Sequence, residues 1–77
     1  MKIFEVSLRS VEDVQDFVSL ACGQPFELTV GDYRNYVNAK SFMQIFCLNL
    51  SGRLEVRMDC TEEEFWRFFE AAEHFRN

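Results

Sequence analysis

The chain has 77 residues, 48% of them hydrophobic, and a formal net charge of −5 at pH 7. This length allows one domain and leaves no room for a second. The charge argues against nucleic acid as a partner, because phosphate binding needs a basic patch and the eight Lys and Arg residues are scattered.

The cysteines and the hydropathy predict a cytoplasmic protein. Cys22, Cys47 and Cys60 are an odd, widely spaced set, whereas secreted disulfide frameworks have an even and denser one. We therefore expect three reduced thiols, buried or half-buried. No stretch has the length of a membrane span, and residues 1–10 lack the apolar core of an export signal. The prediction is a single domain over residues 1–77 that does not bind a membrane.

The first half of the chain predicts a strand, a helix and two more strands. Residues 2–8 alternate between apolar and polar side chains, as a half-buried strand does. Ser10 is the expected N-cap of a helix that Gly23 ends. The alternation at residues 26–30 and 35–39 predicts two strands around a turn at Gly31-Asp32. The buried stripe of the helix is expected to be Val11, Val14, Phe17, Val18 and Ala21.

The second half predicts a short helix, a strand and a last helix. Residues 41–44 (SFMQ) form a capping box, Ile45 and Leu48 are the core side of the short helix, and Asn49 is its expected left-handed end. Residues 54–58 alternate as a fourth strand. Residues 61–64 (TEEE) form another capping box. The last helix is expected to bury Phe65, Phe68, Phe69 and Ala72, with His74 and Arg76 near its negative end.

The predicted order is β-α-β-β-α-β-α. It indicates an α+β domain, a two-layer open-faced β-sandwich with a four-stranded, mainly antiparallel sheet and three helices on one face.

No catalytic or metal site is recognisable. One histidine and three separated cysteines do not form a ligand set. The acidic residues at 12–16 and 62–64 have a sufficient explanation as the first turns of helices. Gly31 and Gly52 are isolated turn glycines and do not form a phosphate-binding loop. We therefore expect no enzyme activity, no metal and no cofactor.

Two features of the short helix go beyond capping and core formation. Phe42, Met43 and Phe46 cannot all face the sheet, so part of this group should be exposed. It is either a protein-docking surface or ordinary exposed apolar area. Ser41 is an N-cap, and a helix N-terminus is also where an added phosphate is tolerated, with Lys40 adding a cation.

The order of elements and two segments, residues 27–30 (ELTV) and 38–43 (NAKSFM), resemble the HPr family, the small phosphocarrier proteins of the bacterial sugar phosphotransferase system. The resemblance covers nearly the whole chain and is strongest over residues 26–50; the part after Leu50 is shorter than is usual in the family. It implies that Ser41 is the regulatory serine that a dedicated ATP-dependent kinase phosphorylates in many Gram-positive bacteria. It also implies that Phe42, Met43 and Phe46, with Lys40, form the partner-binding patch.

The resemblance places Ser10 at the position of the phosphorylated histidine of the family. Glu12 and Asp13 stand where the family has an arginine and a proline. A carboxylate repels a phosphoryl group that arginine would bind. His74 is not expected to substitute, because it is predicted at the far end of another helix.

The leading hypothesis is an HPr-like regulatory or protein-binding module without a phosphorylatable histidine, switched at Ser41. Its partner would be a phosphotransferase-system component, a serine kinase or a transcriptional regulator, and the chain would be a monomer or a weak homodimer. The alternatives are a phosphocarrier with Ser10 as acceptor, and an orphan binding subunit that retains only the fold.

Overall fold

A computed structural model describes residues 1–76 of the chain. Four strands and three helices follow one another in the predicted order, and a single turn of 3₁₀ helix comes after the last helix. The elements are β1 Lys2–Val6, α1 Val11–Cys22, β2 Leu28–Gly31, β3 Tyr36–Asn38, α2 Phe42–Ile45, β4 Leu54–Met58, α3 Glu62–Ala71 and the 3₁₀ turn Glu73–Phe75.

The strands form one sheet in the order β1-β4-β2-β3, and every neighbouring pair is antiparallel. Val56 of β4 is paired with Phe4 of β1 on one side and with Val30 of β2 on the other. The side chains of these three residues therefore point to the same face of the sheet. The buried side chains of α1, α2 and α3 join these strand residues in one apolar core. The other face of the sheet is polar and open. The α+β two-layer architecture predicted from the sequence is confirmed.

Aromatic side chains fill the centre of the core. Phe68 of α3 packs edge-on against Phe4, Phe17 and Phe26, with ring centroids 6.0–6.4 Å apart. Phe17 and Phe68 are almost completely buried. Full burial of a side chain of this size stabilises the fold by roughly 1.5–3 kcal/mol. The small domain therefore derives much of its stability from the contact between α1, α3 and β1.

The bounds of β1, β2 and β3 differ by one or two residues from the predicted ranges. Strand β1 ends at Val6, since the amide of Ser7 donates to the carbonyl of Phe75 at 2.8 Å and leaves the sheet. Gly31 belongs to β2 and is not part of the turn. It lies opposite Tyr36, whose ring covers it so closely that a side chain at Gly31 would collide with the ring. Glycine is needed there for that close approach.

The turn between β2 and β3 is held by the carboxylate of Asp32. This carboxylate accepts backbone N–H bonds from Arg34, Asn35 and Asn49 at 2.8–3.0 Å. These bonds lower the pKa of Asp32 to about 2, with the bond from Asn49 as the largest cause. The same turn holds Tyr33 in the left-handed region at φ 74°, which is uncommon for an aromatic residue. Asp32 thus ties this turn to the loop that follows α2.

The helix termini correct several sequence predictions. The prediction that Asn49 ends α2 in a left-handed conformation is wrong: α2 ends at Ile45, its C-cap Phe46 is right-handed, and Tyr33 alone has a positive φ among residues 1–76. Gly23 does end α1, but at an ordinary negative φ of −78°. His74 lies in the separate 3₁₀ turn and not in the last helix.

Candidate functional site

The short helix α2 places one side chain in the core and presents its other apolar residues to solvent. Ile45 is completely buried, whereas Phe42 is half-buried, Met43 is 75% exposed and Phe46 is 42% exposed. The rings of Phe42 and Phe46 meet edge-on with centroids 5.0 Å apart. The expected partial exposure of this group is confirmed. We call Phe42, Met43 and Phe46 the α2 surface.

A cleft of about 440 Å³ connects the α2 surface with the start of α1. Phe46 and Leu50 line one side, and Ser10 and Val11 line the other. Val11 was predicted to be buried and is exposed, because it and Val18 lie on the flank of the stripe formed by Val14, Phe17 and Ala21. The structure therefore brings Ser10 and Phe46 to one concave, partly apolar surface, a juxtaposition that the sequence did not reveal.

Hydrogen bonds fix the N-terminus of α1. The Oγ of Ser10 accepts the backbone N–H of Asp13 at 3.0 Å. The carboxylate of Asp13 accepts the backbone N–H of Arg9 at 2.9 Å, because the short Asp side chain does not close a full capping box on Ser10 itself. The N–H of Arg9 is the main reason that the pKa of Asp13 lies below its usual value, and His74 adds to the effect.

The structure corrects the predicted position of His74. Its Nε2 lies 3.1 Å from Oδ1 of Asp13, in the first turn of α1, although the two residues are 61 positions apart in the chain. His74 is thus close to the N-terminus of α1 and is not remote from it, because the 3₁₀ turn after α3 folds back across that end. Glu12 points outward in the same turn, so the surroundings of Ser10 remain acidic on this side.

The N-terminus of α2 is capped by Ser41. Its Oγ accepts the backbone N–H of Gln44 at 3.3 Å. The return bond of the predicted capping box goes elsewhere: Oε1 of Gln44 accepts the amide of Asn38, at the end of β3. The first turn of α2 contains no acidic residue. The ammonium of Lys40 donates to the carbonyl of Gln24 at 2.8 Å, so this predicted binding residue is engaged with the chain after α1.

The predicted thiols and metal ligands are dispersed. Cys22 and Cys47 are exposed and Cys60 is half-buried, so the expectation of three buried or half-buried thiols is wrong for two of them. All three are free, and burial raises the pKa of Cys60. Over residues 1–76, no three His, Cys, Asp or Glu side chains lie close enough to hold a metal ion.

Comparison with known proteins identifies the fold. The chain matches the crystal structure of HPr-C-His from Thermoanaerobacter tengcongensis with a TM-score of 0.76 and 22% sequence identity, over 95% of this chain and 92% of that one. The chain has the HPr fold. No model of a known protein family matches it, and no curated protein sequence does.

The HPr-like fold explains why two distant segments share the cleft. The α1 start and α2 adjoin on the same layer, and the register of β4 against β1 and β2 is regular despite the short segment after Leu50. No helix in the described part of the chain is long and apolar enough to span a membrane. The roles that the family resemblance implies for Ser10, Glu12, Lys40, Ser41 and the α2 surface stay predictions.

Proposed function

We propose that this chain is an HPr-like protein-binding module of a bacterial phosphotransferase system, not an enzyme, which docks its partner through the α2 surface and is regulated at Ser41. The observation that carries the proposal is the exposure of Met43 and Phe46 beside the cleft that contains Ser10. An exposed apolar group next to a concave surface is typical of protein-interaction sites.

The packing of α2 favours docking over incidental exposure. Ile45 anchors the helix in the core, and hydrogen bonds of Gln44 and Ser41 with Asn38 fix its start to the end of β3. The ring of Phe42 packs against the core, whereas Met43 and Phe46 are not among the core side chains. The flexible thioether of Met43 suits contact with more than one partner.

The first turns of α1 and α2 differ in charge, and this difference favours Ser41 over Ser10 as a phosphorylation site. Glu12 and Asp13 make the first turn of α1 acidic, whereas that of α2 has no acidic residue. A phosphate adds a charge of about −1.5 to −2 and is stabilised at an N-terminus free of like charge. Modification of Ser41 would place this charge beside Phe42 and change which partners the α2 surface binds.

A phosphocarrier that uses Ser10 is the second candidate. It is favoured by the position of Ser10, which is exposed and lines the same cleft as Phe46. Against it, the Oγ of Ser10 already accepts the amide of Asp13, and the first turn of α1 carries the carboxylates of Glu12 and Asp13. Labelling with phosphoenolpyruvate and the general phosphotransferase enzyme, lost in Ser10→Ala, would establish this candidate in place of the first.

The switch is tested by intact-mass measurement after incubation with ATP and the serine kinase that acts on HPr. We expect one added phosphate on the wild type and none on Ser41→Ala. Ser51→Ala is a control, because Ser51 is an exposed serine that caps no helix. An unmodified wild type, or equal modification of Ser41→Ala, would refute regulation at Ser41.

Docking is tested separately by titrating the ¹⁵N-labelled chain with the same kinase and with the general phosphotransferase enzyme. We expect resonance changes at residues 42–46 and around Ser10, and loss of binding in Met43→Glu. Ile3→Lys is the control, since Ile3 is exposed on the open face of the sheet. If Met43→Glu bound both proteins as the wild type does, the α2 surface would not be the docking site.

A further inference from the structure

A second concave surface lies beside β1, the strand farthest from β3 in the sheet order. Its volume is about 340 Å³, within the range of roughly 300–1,000 Å³ that small-molecule sites occupy. It has no lining residue in common with the cleft at Ser10. We call it the arginine pocket, and its lining residues are Phe4, Glu5, Arg53, Phe69 and Arg76.

The two guanidinium groups of the arginine pocket are only loosely paired. Arg67, by comparison, forms an ion pair of 2.7 Å within α3. Nη1 of Arg53 lies 3.6 Å from Oε1 of Glu5. Nη2 of Arg76 lies 3.9 Å from Oε1 of Glu73. Over residues 1–76, neither guanidinium therefore has a carboxylate within the 2.7–2.9 Å of a charge-assisted hydrogen bond.

Arg76 is the less satisfied of the two arginines. Its guanidinium stacks on the ring of Phe69, 4.0 Å from the ring centroid. Its Nε is buried, and no acceptor within the described residues reaches it. A buried charged donor without an acceptor costs free energy, and in a native structure it requires an explanation such as a bound ion. The Arg76 side chain is 26% exposed, so a ligand in the pocket can reach part of it.

We propose that the arginine pocket binds a small organic acid that has one carboxylate and an apolar body. The lining side chains carry two positive charges and one negative charge, so a monoanion neutralises the pocket. The carboxylate of Glu5 is already engaged, because the hydroxyl of Tyr33 donates to it and Arg53 lies beside it. The guanidinium groups of Arg53 and Arg76 bind the carboxylate of the ligand, since their planar sets of N–H donors match its geometry.

The apolar side of the arginine pocket is formed by two phenylalanine rings. Phe4 and Phe69 meet edge-on with centroids 5.2 Å apart. Phe4 is 8% exposed and Phe69 is half-buried, so both rings still offer some surface to a ligand. The apolar body of the acid lies against these rings and is removed from water there, which favours binding. Inorganic phosphate has the charge but gains nothing from this contact.

The proposal is tested by titrating the ¹⁵N-labelled chain with hexanoate, and with 1-hexanol and inorganic phosphate as partial probes. Hexanoate should cause saturable resonance changes at residues 4, 5, 53, 69 and 76. The alcohol lacks the charge and phosphate lacks the apolar body. Each should therefore bind at least about tenfold more weakly than hexanoate, a difference of about 1.4 kcal/mol.

Variants of the charged residues should change hexanoate binding in opposite directions. Arg53→Gln and Arg76→Gln should each weaken it about tenfold or more, and Arg53 is 68% exposed, so its replacement leaves the fold intact. Glu73→Gln should tighten binding about two- to fivefold, because it removes an exposed carboxylate that competes for Arg76. Arg67→Gln is the matched control, since Arg67 is exposed and does not line the pocket.

A wild type without saturable changes in hexanoate would overturn the proposal. Phosphate that binds as tightly as hexanoate would show that charge alone is recognised, and 1-hexanol that binds as tightly would show that the arginines are not used. Either result would overturn the proposed ligand class. Binding that survives both arginine variants would exclude the arginine pocket as the site. None of these results depends on whether the α2 surface binds a partner.

Discussion

Helices α2 and α3 both begin at a hydroxyl N-cap and both carry aromatic residues, yet they hold those residues differently. Helix α3 has ten residues and a complete capping box between Thr61 and Glu64. Helix α2 has four residues and only half of such a box. Phe68 of α3 is central to the core, whereas Met43 and Phe46 of α2 are exposed.

The difference shows how a small domain keeps apolar side chains available for binding. Helix α3 is stabilised by its own caps and by the burial of its aromatic face. Helix α2 is too short to be stable alone and is fixed from outside, by Asn38 on one side and by the loop that Asp32 holds on the other. The exposed apolar side chains of Met43 and Phe46 are therefore not needed to hold α2 in place.

The largest expected effect is on the buried aromatic residue of α3. Phe68→Ala should lower the free energy of unfolding by about 3–5 kcal/mol, since it removes the packing against Phe4, Phe17 and Phe26. Phe46→Ala should cost less than about 1 kcal/mol, because Phe46 is 42% exposed and its ring packs edge-on against the half-buried Phe42. Urea unfolding followed by circular dichroism measures both. Equal losses would mean that α2 is as much a part of the core as α3.

A smaller difference is expected between the two caps. Thr61→Ala removes the bond that the amide of Glu64 donates to the Thr61 hydroxyl, leaves the return bond from the Thr61 amide to Glu64, and should cost about 1 kcal/mol. Ser41→Ala removes one bond of 3.3 Å and leaves the bond from Gln44 to Asn38, so the loss should be about 0.5 kcal/mol. The same unfolding experiment measures the two losses of stability. A larger loss at Ser41 would show that α2 depends on its own cap.

The hydrogen bonds by which the Asp32 carboxylate holds the loop after α2 should weaken in acid. The pKa of Asp32 is about 2 in the folded chain and 3.8 in its ordinary state, so the folded chain binds this proton less readily than the unfolded chain. The stabilisation is complete above pH 3.8 and is lost as the pH falls toward 2. The stability difference between the wild type and Asp32→Asn should narrow across this interval. A difference that does not change with pH would assign the role of Asp32 to geometry and not to its charge.

The sequence predicted the elements of the fold correctly because local signals agreed with one another. Alternation defined the faces of β1 and β4, and the helix starts at Ser10, Ser41 and Thr61 are all confirmed. The errors lie where tertiary contacts decide. Gly31 was assigned to a turn because nothing local shows that the ring of Tyr36 covers it.

The candidate site was predictable only in part. The spacing of Phe42, Met43 and Phe46 is enough to predict exposure, because one helix face cannot accommodate all three. The cleft between Ser10 and Phe46 and the contact of His74 with Asp13 join residues far apart in the chain. Proximity of that kind depends on how α1 packs beside α2 and on the direction in which the chain returns after α3, which periodicity and capping do not specify.

The smallest expected effect is the most informative about function. Met43→Lys should change the free energy of unfolding by no more than about 0.5 kcal/mol, because the side chain is exposed and α2 is anchored without it. The same substitution in the core of α3 could not be neutral. If Met43→Lys leaves the unfolding curve unchanged but abolishes partner binding, the exposed apolar side chains of α2 serve recognition, whereas the buried ones of α3 serve folding. If Met43→Lys destabilises the chain as strongly as Thr61→Ala does, Met43 contributes to the fold, and the distinction between the two helices fails.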